Sequence, residues 1–184
     1  TSKDKTLEKY TSVLRENVEE LNGLIQEILD FRKAEDAGFS HTHIRRVSVS
    51  SLLRTQFEWF YPLSEQHQIQ FKIDAPKELY WNTDSVYFKK ILANLISNAF
   101  KYTEDGGTVR ISLHEEENFL VLKVYNTGKG IEEADMQNIF DRYRILGTMD
   151  NDDNRQNTAR NGLGLFICHS LVQSLGGKID IESE

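Results

Sequence analysis

Covalent bracing is almost absent from this chain: 184 residues contain a single cysteine, Cys168, and two prolines. One thiol excludes an internal disulfide, so packing must hold the fold, and the chain suits a reducing compartment or one where redox state is immaterial. The setting of that thiol, LFICHSLV, is that of a small core residue rather than a reactive group. Long hydrophobic runs are missing too. No stretch approaches the ~18 apolar residues of a membrane span. The opening TSKDKTLEKY has neither the apolar stretch nor the small-residue site of a secretory signal, so the chain by itself is expected to be soluble. A basic excess is also lacking. Acidic residues outnumber basic ones by 29 to 22, and the resulting net charge of -7 excludes a broad polyanion-binding surface and with it direct nucleic-acid binding. One local phosphate site remains compatible with this balance.

What is present is ordinary globular material, 39% hydrophobic and 28% charged, enough for one well-buried domain and an accessory element. Residues 6–35 place Leu7, Leu14, Leu21 and Ile28 seven apart, with Val18, Leu24, Ile25 and Phe31 beside them. That spacing predicts one helix of roughly 45 Å, whose apolar stripe calls for an antiparallel partner or a four-helix bundle. EDAGFSHTHIRR breaks the period and marks a linker, which sets expected boundaries at 1–44 and 45–184. Beyond it, Val47 and Val49 predict a short strand, and Ser50 or Ser51 the cap of a helix running to about His67, with Pro62 kinking or breaking it near Tyr61. Ile69, Phe71 and Ile73 alternate as a strand, and Asp84 to Tyr102 reads as a strong helix with Val86, Ile91, Leu95 and Ala99 facing inward. EDGGT is a turn, VRISL and FLVLKVY are strands, and EEADMQNIF is a short helix. The polar stretch TMDNDDNRQNTAR reads as a loop, GLGLFICHSLVQSL as an apolar helix, and GGKIDIESE as a turn and a last strand. These segments make an α+β two-layer sandwich with helices on one face of one antiparallel or mixed sheet. The chain starts without Met and stops inside that apparent strand, so it is expected to be part of a larger protein.

Three clusters carry chemistry. Asn94 and Asn98 stand one turn apart in the helix NLISNAFKYT, and a buried amide is costly unless paired, which by itself suggests a structural network. Their spacing with Lys101 and Tyr102, at i, i+4, i+7 and i+8, instead collects amide oxygens, an ammonium and an aromatic ring on one face. An amide oxygen suits Mg²⁺, which keeps waters and takes its other oxygens from one or two side chains and a substrate's phosphates. The second cluster, NTGKGI, follows a strand. Its glycines permit close backbone approach or simply an unusual turn, and the Asn126 carboxamide has the donor and acceptor that an adenine edge requires. The third, NGLGLFI, opens a helix with glycines, either for packing or to present backbone N–H groups to an anion, and the polar loop before it is of a kind that can close over a phosphate tail.

Together these stretches resemble the ATP-binding catalytic domain of sensor histidine kinases, of the Bergerat or GHKL fold. ILANLISNAFKYT is similar to its N-box, NTGKGI to the G1 box, IFDRYR to the F-box and NGLGL to the G2 box, while residues 6–35 resemble the second helix of the dimerisation and phosphotransfer domain in hybrid two-component sensors. The resemblance implies ATP and Mg²⁺ as cofactors, with Asn98 as metal ligand and Asn94 supporting the metal or phosphates. Lys101 would contact phosphate and Tyr102 would lie against adenine. Asn126 takes the place of an aspartate that accepts from the adenine amino group; Gly128 and Gly130 admit the backbone, and Ile131 lines the pocket. Arg142 and Arg144 would reach the phosphates, and Gly162, Leu163, Gly164 and Leu165 would form the hinge and phosphate cradle. Arg160 stands where a first G2 glycine is frequent.

The activity so implied is transfer of the γ-phosphoryl of Mg-ATP to a histidine, then relay to the aspartate of a response-regulator receiver. His41, His43, His67, His114 and His169 all lack the phosphoacceptor context, so the acceptor is expected on a helix outside this sequence, in the same protein or its dimer partner. The full protein is expected to be a homodimer anchored in a membrane with this part on the cytoplasmic side. The two alternatives are a GHKL ATPase, which places a glutamate where Asn94 stands to activate water, and a pseudokinase in which Asn126 and Arg160 mark lost nucleotide affinity.

Overall fold

The structure, a computed structural model, describes residues 42–136, 138–140 and 164–183. The helix expected over 6–35 and the loop expected over 148–160 lie outside the described residues. Among the described residues five strands and four helices follow in order: β1 (Arg45–Ser48), α1 (Val49–Gln66), β2 (Gln70–Asp74), β3 (Tyr80–Thr83), α2 (Ser85–Lys101), β4 (Thr108–Glu116), β5 (Phe119–Asn126), α3 (Glu133–Met136) and α4 (Gly164–Ser174). β2 runs parallel to β4, and β4 pairs antiparallel with β5 from Val109↔Asn126 to Glu116↔Phe119. The β1 and β3 strands bond to each other as a separate antiparallel pair, so the described strands form two sheets where one was expected. The β3 strand itself, YWNT, is the element that period-two reading misses, because its four residues are too few to show alternation.

The core lies between the three-stranded sheet and its helices. Phe71 of β2 and Val109, Ile111 and Leu113 of β4 meet Val49 and Leu53 of α1 and Phe88, Leu92, Ile96 and Phe100 of α2. Four phenylalanines join the layers: Phe57 stacks on Phe71 at 4.4 Å, Phe71 meets Phe100 edge-on at 4.9 Å, and Phe60 stacks on Phe100 at 5.4 Å. A smaller cluster of Ile91, Ile167 and Leu171 packs α4 beside α2. The α2 helix is therefore buried on two sides, and a third strip of its surface is left for polar residues.

Several local expectations change. Ser48, not Ser50 or Ser51, caps α1 by accepting from the Ser51 N–H at 3.3 Å. Ser50 is fully buried instead, where its hydroxyl accepts from the Leu79 N–H and donates to the Lys77 carbonyl. The α1 helix passes through Pro62 without a break. Pro62 sits near the C-terminal end on the exposed side, where water can satisfy the carbonyl its ring frees. Val86 is 55% exposed rather than inward, since the first turn of α2 projects past the core, and Leu95 is half-buried against α4. Residues 178–183 are not a strand. Alternation becomes a strand only with a ladder partner, and here the contact shown is the Ser183 hydroxyl accepting from the Ile131 N–H at 2.8 Å.

Asp84 caps α2. Its carboxylate is 4% exposed and accepts from the backbone N–H groups of Val86 (2.8 Å), Tyr87 (3.2 Å) and His43 (2.8 Å). Burial would raise its pKa, but these hydrogen bonds outweigh it and hold the carboxyl below its ordinary value. A depressed carboxyl contributes stability above the unfolded-state value of about 4 and loses it as pH falls through the folded one. Asp84→Ala should therefore cost about 1–2 kcal/mol in neutral urea unfolding, with a difference from the parent that shrinks below about pH 4.

Helices α1 and α4 end alike. Beyond α1 the Ile69 N–H donates to the Ser64 carbonyl and the Gln68 N–H to Glu65; beyond α4 the Gly177 N–H donates to Val172 and the Gly176 N–H to Gln173. The motif needs a left-handed residue, which is Gly176 (φ 74) in one case and Gln68 (φ 54) in the other. Gln68→Gly is expected to raise stability by about 0.5–1 kcal/mol and Gly176→Ala to lower it by about 1 kcal/mol, both read from thermal melts.

Candidate functional site

Along α2, Asn94 and Asn98 occupy the strip facing the first turn of α4. Both are half-buried. A β-carbon placed on Gly164, the first residue of α4, would lie 3.7 Å from Asn94 Oδ1 and 3.9 Å from Asn98 Nδ2. The two carboxamides thus sit against a helix start, where N–H groups lack partners within the helix and the dipole is positive. Leu165 follows in the same turn.

The two amides differ in what holds them. Asn94 lies against Cys168, a fully buried residue of α4 whose thiol donates to the Ile91 carbonyl at 3.9 Å. Burial pushes the Cys168 thiol up to about 12, with the Asn94 contact pulling weakly the other way, so this cysteine stays a neutral core group. Asn98 makes no side-chain hydrogen bond to another described residue. Its carboxamide is accessible to a ligand.

At the far end of α2 the chain passes into Tyr102, whose N–H still donates to the Asn98 carbonyl at 3.1 Å. Tyr102 and Lys101 are both exposed, with Lys101 Nζ 5.7 Å from the centre of the tyrosine ring. A bridge between Thr103 and Gly128 joins this end of α2 to the segment after β5. Gly128 is there because nothing larger fits: a β-carbon would run into the Tyr102 carbonyl oxygen and come within 2.7 Å of Asn126 Nδ2. Asn126, the last residue of β5, is half-buried on the sheet face that bears Leu120, Leu122 and Val124. Thr127 locks the strand end, donating its N–H to the Thr108 carbonyl at 3.0 Å and accepting from the Thr108 N–H at 2.7 Å.

The structure therefore collects Asn94, Asn98, Gly164 and Leu165 at one place and Tyr102, Asn126 and Gly128 at the adjoining end of α2. Gly130 is exposed and Ile131 half-buried in the segment that continues from Gly128. Arg142, Arg144, Gly162 and Leu163 lie outside the described residues. Phe140 stacks on His169 of α4 at 5.3 Å, a contact that sequence reading did not foresee. A stacked aromatic five residues into a helix leaves no periodic signature.

Among the described residues no group of three or more His, Cys, Asp or Glu side chains is placed to hold a metal. A lone carboxamide oxygen completed by phosphates and water is a donor set that suits Mg²⁺, and Asn98 meets that requirement. A shallow hollow elsewhere is lined by Arg46, Tyr80, Trp81, Asn82 and Glu115. It lies six residues along β4 from the Val109–Asn126 pair, about 20 Å away, and contains none of these groups.

Gly128→Ala should lower stability by about 1–3 kcal/mol in urea unfolding, since backbone rather than a flexible side chain blocks the new methyl. Cys168 in the folded chain should resist a thiol reagent at neutral pH and react at the rate of unfolding as denaturant is added; labelling far below the unfolding midpoint would contradict its burial.

The chain is 28% identical over 188 residues to the sensor protein IrlS of Burkholderia pseudomallei (strain K96243), covering all of this chain and 39% of that protein. It is 29% identical over 184 residues to the sensor protein SrrB of Staphylococcus aureus (strain NCTC 8325 / PS 47), covering all of this chain and 30% of that protein. The chain thus spans well under half the length of these relatives. The fold is shared with full-length ShkA in complex with AMPPNP, at a TM-score of 0.72 and 23% identity, over 91% of this chain and 34% of that one. Residues 83–184, more than half of the sequence, match the model of the histidine kinase-, DNA gyrase B- and HSP90-like ATPases, and the chain belongs to that family.

Proposed function

We propose that this chain is the nucleotide-binding catalytic part of a sensor histidine kinase. It binds Mg-ATP along the polar strip of α2 and passes the γ-phosphoryl group to a histidine on a helix of the same protein or of its dimer partner. The observation that carries this reading is the Asn98 carboxamide, which has no hydrogen bond to another described residue and faces the glycine start of α4. In this reading Asn98 holds the Mg²⁺ and Asn94 supports the metal or phosphates. Lys101 meets a phosphate, the Tyr102 ring lies against the base, and Asn126 reads the base edge over Gly128, Gly130 and Ile131. Arg142, Arg144, Gly162, Leu163, Gly164 and Leu165 complete the phosphate end.

Phosphoryl transfer asks for positioning and charge neutralisation more than for a strong base. When bound, Mg²⁺ supplies neutralisation of the phosphate oxygens and a template for their orientation. The chain's own contribution is to aim donors at phosphate: the first N–H groups of α4, the Lys101 ammonium and the Asn98 carboxamide. An attacking imidazole nitrogen forms the new bond to phosphorus as the bond to the ADP oxygen breaks. Hydrolysis as the main reaction is disfavoured by Asn94. One turn before Asn98, it offers an amide that cannot take a proton from water.

On the same reading residues 1–44 supply the second helix and linker of a dimerisation and phosphotransfer domain. The whole protein is then a membrane-anchored homodimer of hybrid type, with this part on the cytoplasmic side and a receiver aspartate as the next acceptor. The relatives' description as sensor proteins supports the sensor part of this reading.

Mg-ATP at 100 times its dissociation constant should stabilise the chain by about 2.7 kcal/mol in a thermal melt, and Asn98→Ala should remove the magnesium-dependent part. No shift at millimolar nucleotide would instead favour a pseudokinase. Mixed with a helical segment bearing a phosphoacceptor histidine, the chain and Mg-ATP should yield acid-labile phosphate on that segment; steady ATP turnover without any acceptor would identify an ATPase.

A further inference from the structure

Asn126 is the one polar side chain on the inward face of β5, following Leu120, Leu122 and Val124. Its backbone is held by the Val109 pairing and by Thr127 on Thr108, and Gly128 beside it is pinned against the Tyr102 carbonyl. The carboxamide itself makes no hydrogen bond to another described residue. It is a fixed group with a free rotor.

We propose that Asn126 makes the base subsite indifferent to the C6 substituent of a purine, so that the chain takes 6-oxo purine nucleoside triphosphates on terms close to those for 6-amino ones. This rests on the reading of the chain as a nucleotide-binding domain and goes beyond it by naming the substrate class. A carboxylate offers acceptors alone, so it matches an amino group and repels a carbonyl. A carboxamide carries an acceptor on one arm and a donor on the other, and a half-turn of its terminal torsion exchanges them. In one pose Oδ1 accepts from the 6-amino group while Nδ2 donates to the unprotonated N1. In the other, Nδ2 donates to the 6-oxo oxygen while Oδ1 accepts from N1–H. Both poses satisfy the same number of hydrogen bonds, and no described partner selects between them.

The test compares Mg-ATP with Mg-ITP, which differ only at C6 and N1, by calorimetric titration of the full chain. Dissociation constants within about tenfold of each other are expected, because neither base leaves a polar group unpaired. Asn126→Asp, which keeps the shape and removes the donor, should raise the preference for ATP over ITP by at least about tenfold. Asn126→Ala should weaken both nucleotides and leave their ratio within a factor of about three. A parent preference for ATP above tenfold, or an Asn126→Asp ratio equal to the parent's, overturns the proposal while ATP binding stands. Failure of both nucleotides to bind the parent overturns the nucleotide-binding reading and the proposal together.

Discussion

Burial of α2 on two sides is the constraint on which the rest of the molecule depends. Phe88, Leu92, Ile96 and Phe100 anchor it to the sheet, and Ile91 anchors it to Ile167 and Leu171 of α4. Together these contacts leave one strip that cannot rotate away, and Asn94 and Asn98 lie on it. The two amides are useful because the core fixes their direction; on a helix free to turn, neither would face Gly164. The aromatic contacts among Phe57, Phe60, Phe71 and Phe100 extend the same restraint through α1 and β2. Rigid elements of this kind place ligand-facing groups more precisely than loops do.

The second joint is backbone against backbone. Gly128 touches the Tyr102 carbonyl, and the Thr103–Gly128 bridge links the end of α2 to the end of β5. That contact joins the strand end bearing Asn126 to the helix end beyond Asn98 through backbone. Asp84 does related work at the opposite end of α2, where its buried carboxylate gathers N–H groups from the helix and from His43. The Asp84 carboxylate satisfies first-turn N–H groups that have no partner within the helix.

Much of this was legible in the chain itself. The long periodic segment from Asp84 to Tyr102, the strands around VRISL and FLVLKVY, and the buried character of Cys168 all follow from hydrophobic spacing. Less legible were the points where several options satisfy the same local chemistry. Ser48, Ser50 and Ser51 are all competent caps, and only the approach of Leu79 decides that Ser50 is drawn inward. Pro62 breaks a helix in isolation but is tolerated on the exposed side of α1 near its C-terminal end. The alternation in KIDIE reads as a strand, yet without a ladder neighbour the segment is held through Ser183.

By itself the sequence determined which residues could do chemistry: the amides at i and i+4, the glycines after a strand and before a helix, and the polar residue closing an apolar strand. Residue type and spacing are local properties and need no fold to be read. Only the tertiary structure decided how those residues differ from one another. It sets Asn94 against the buried Cys168 and Asn98 against Gly164, and it places Asn126 beside Gly128 with no hydrogen bond from its carboxamide to another described residue. The reason is physical: whether a buried polar group is satisfied depends on which distant segment is packed against it, and that is settled only when α4 and β5 close on α2.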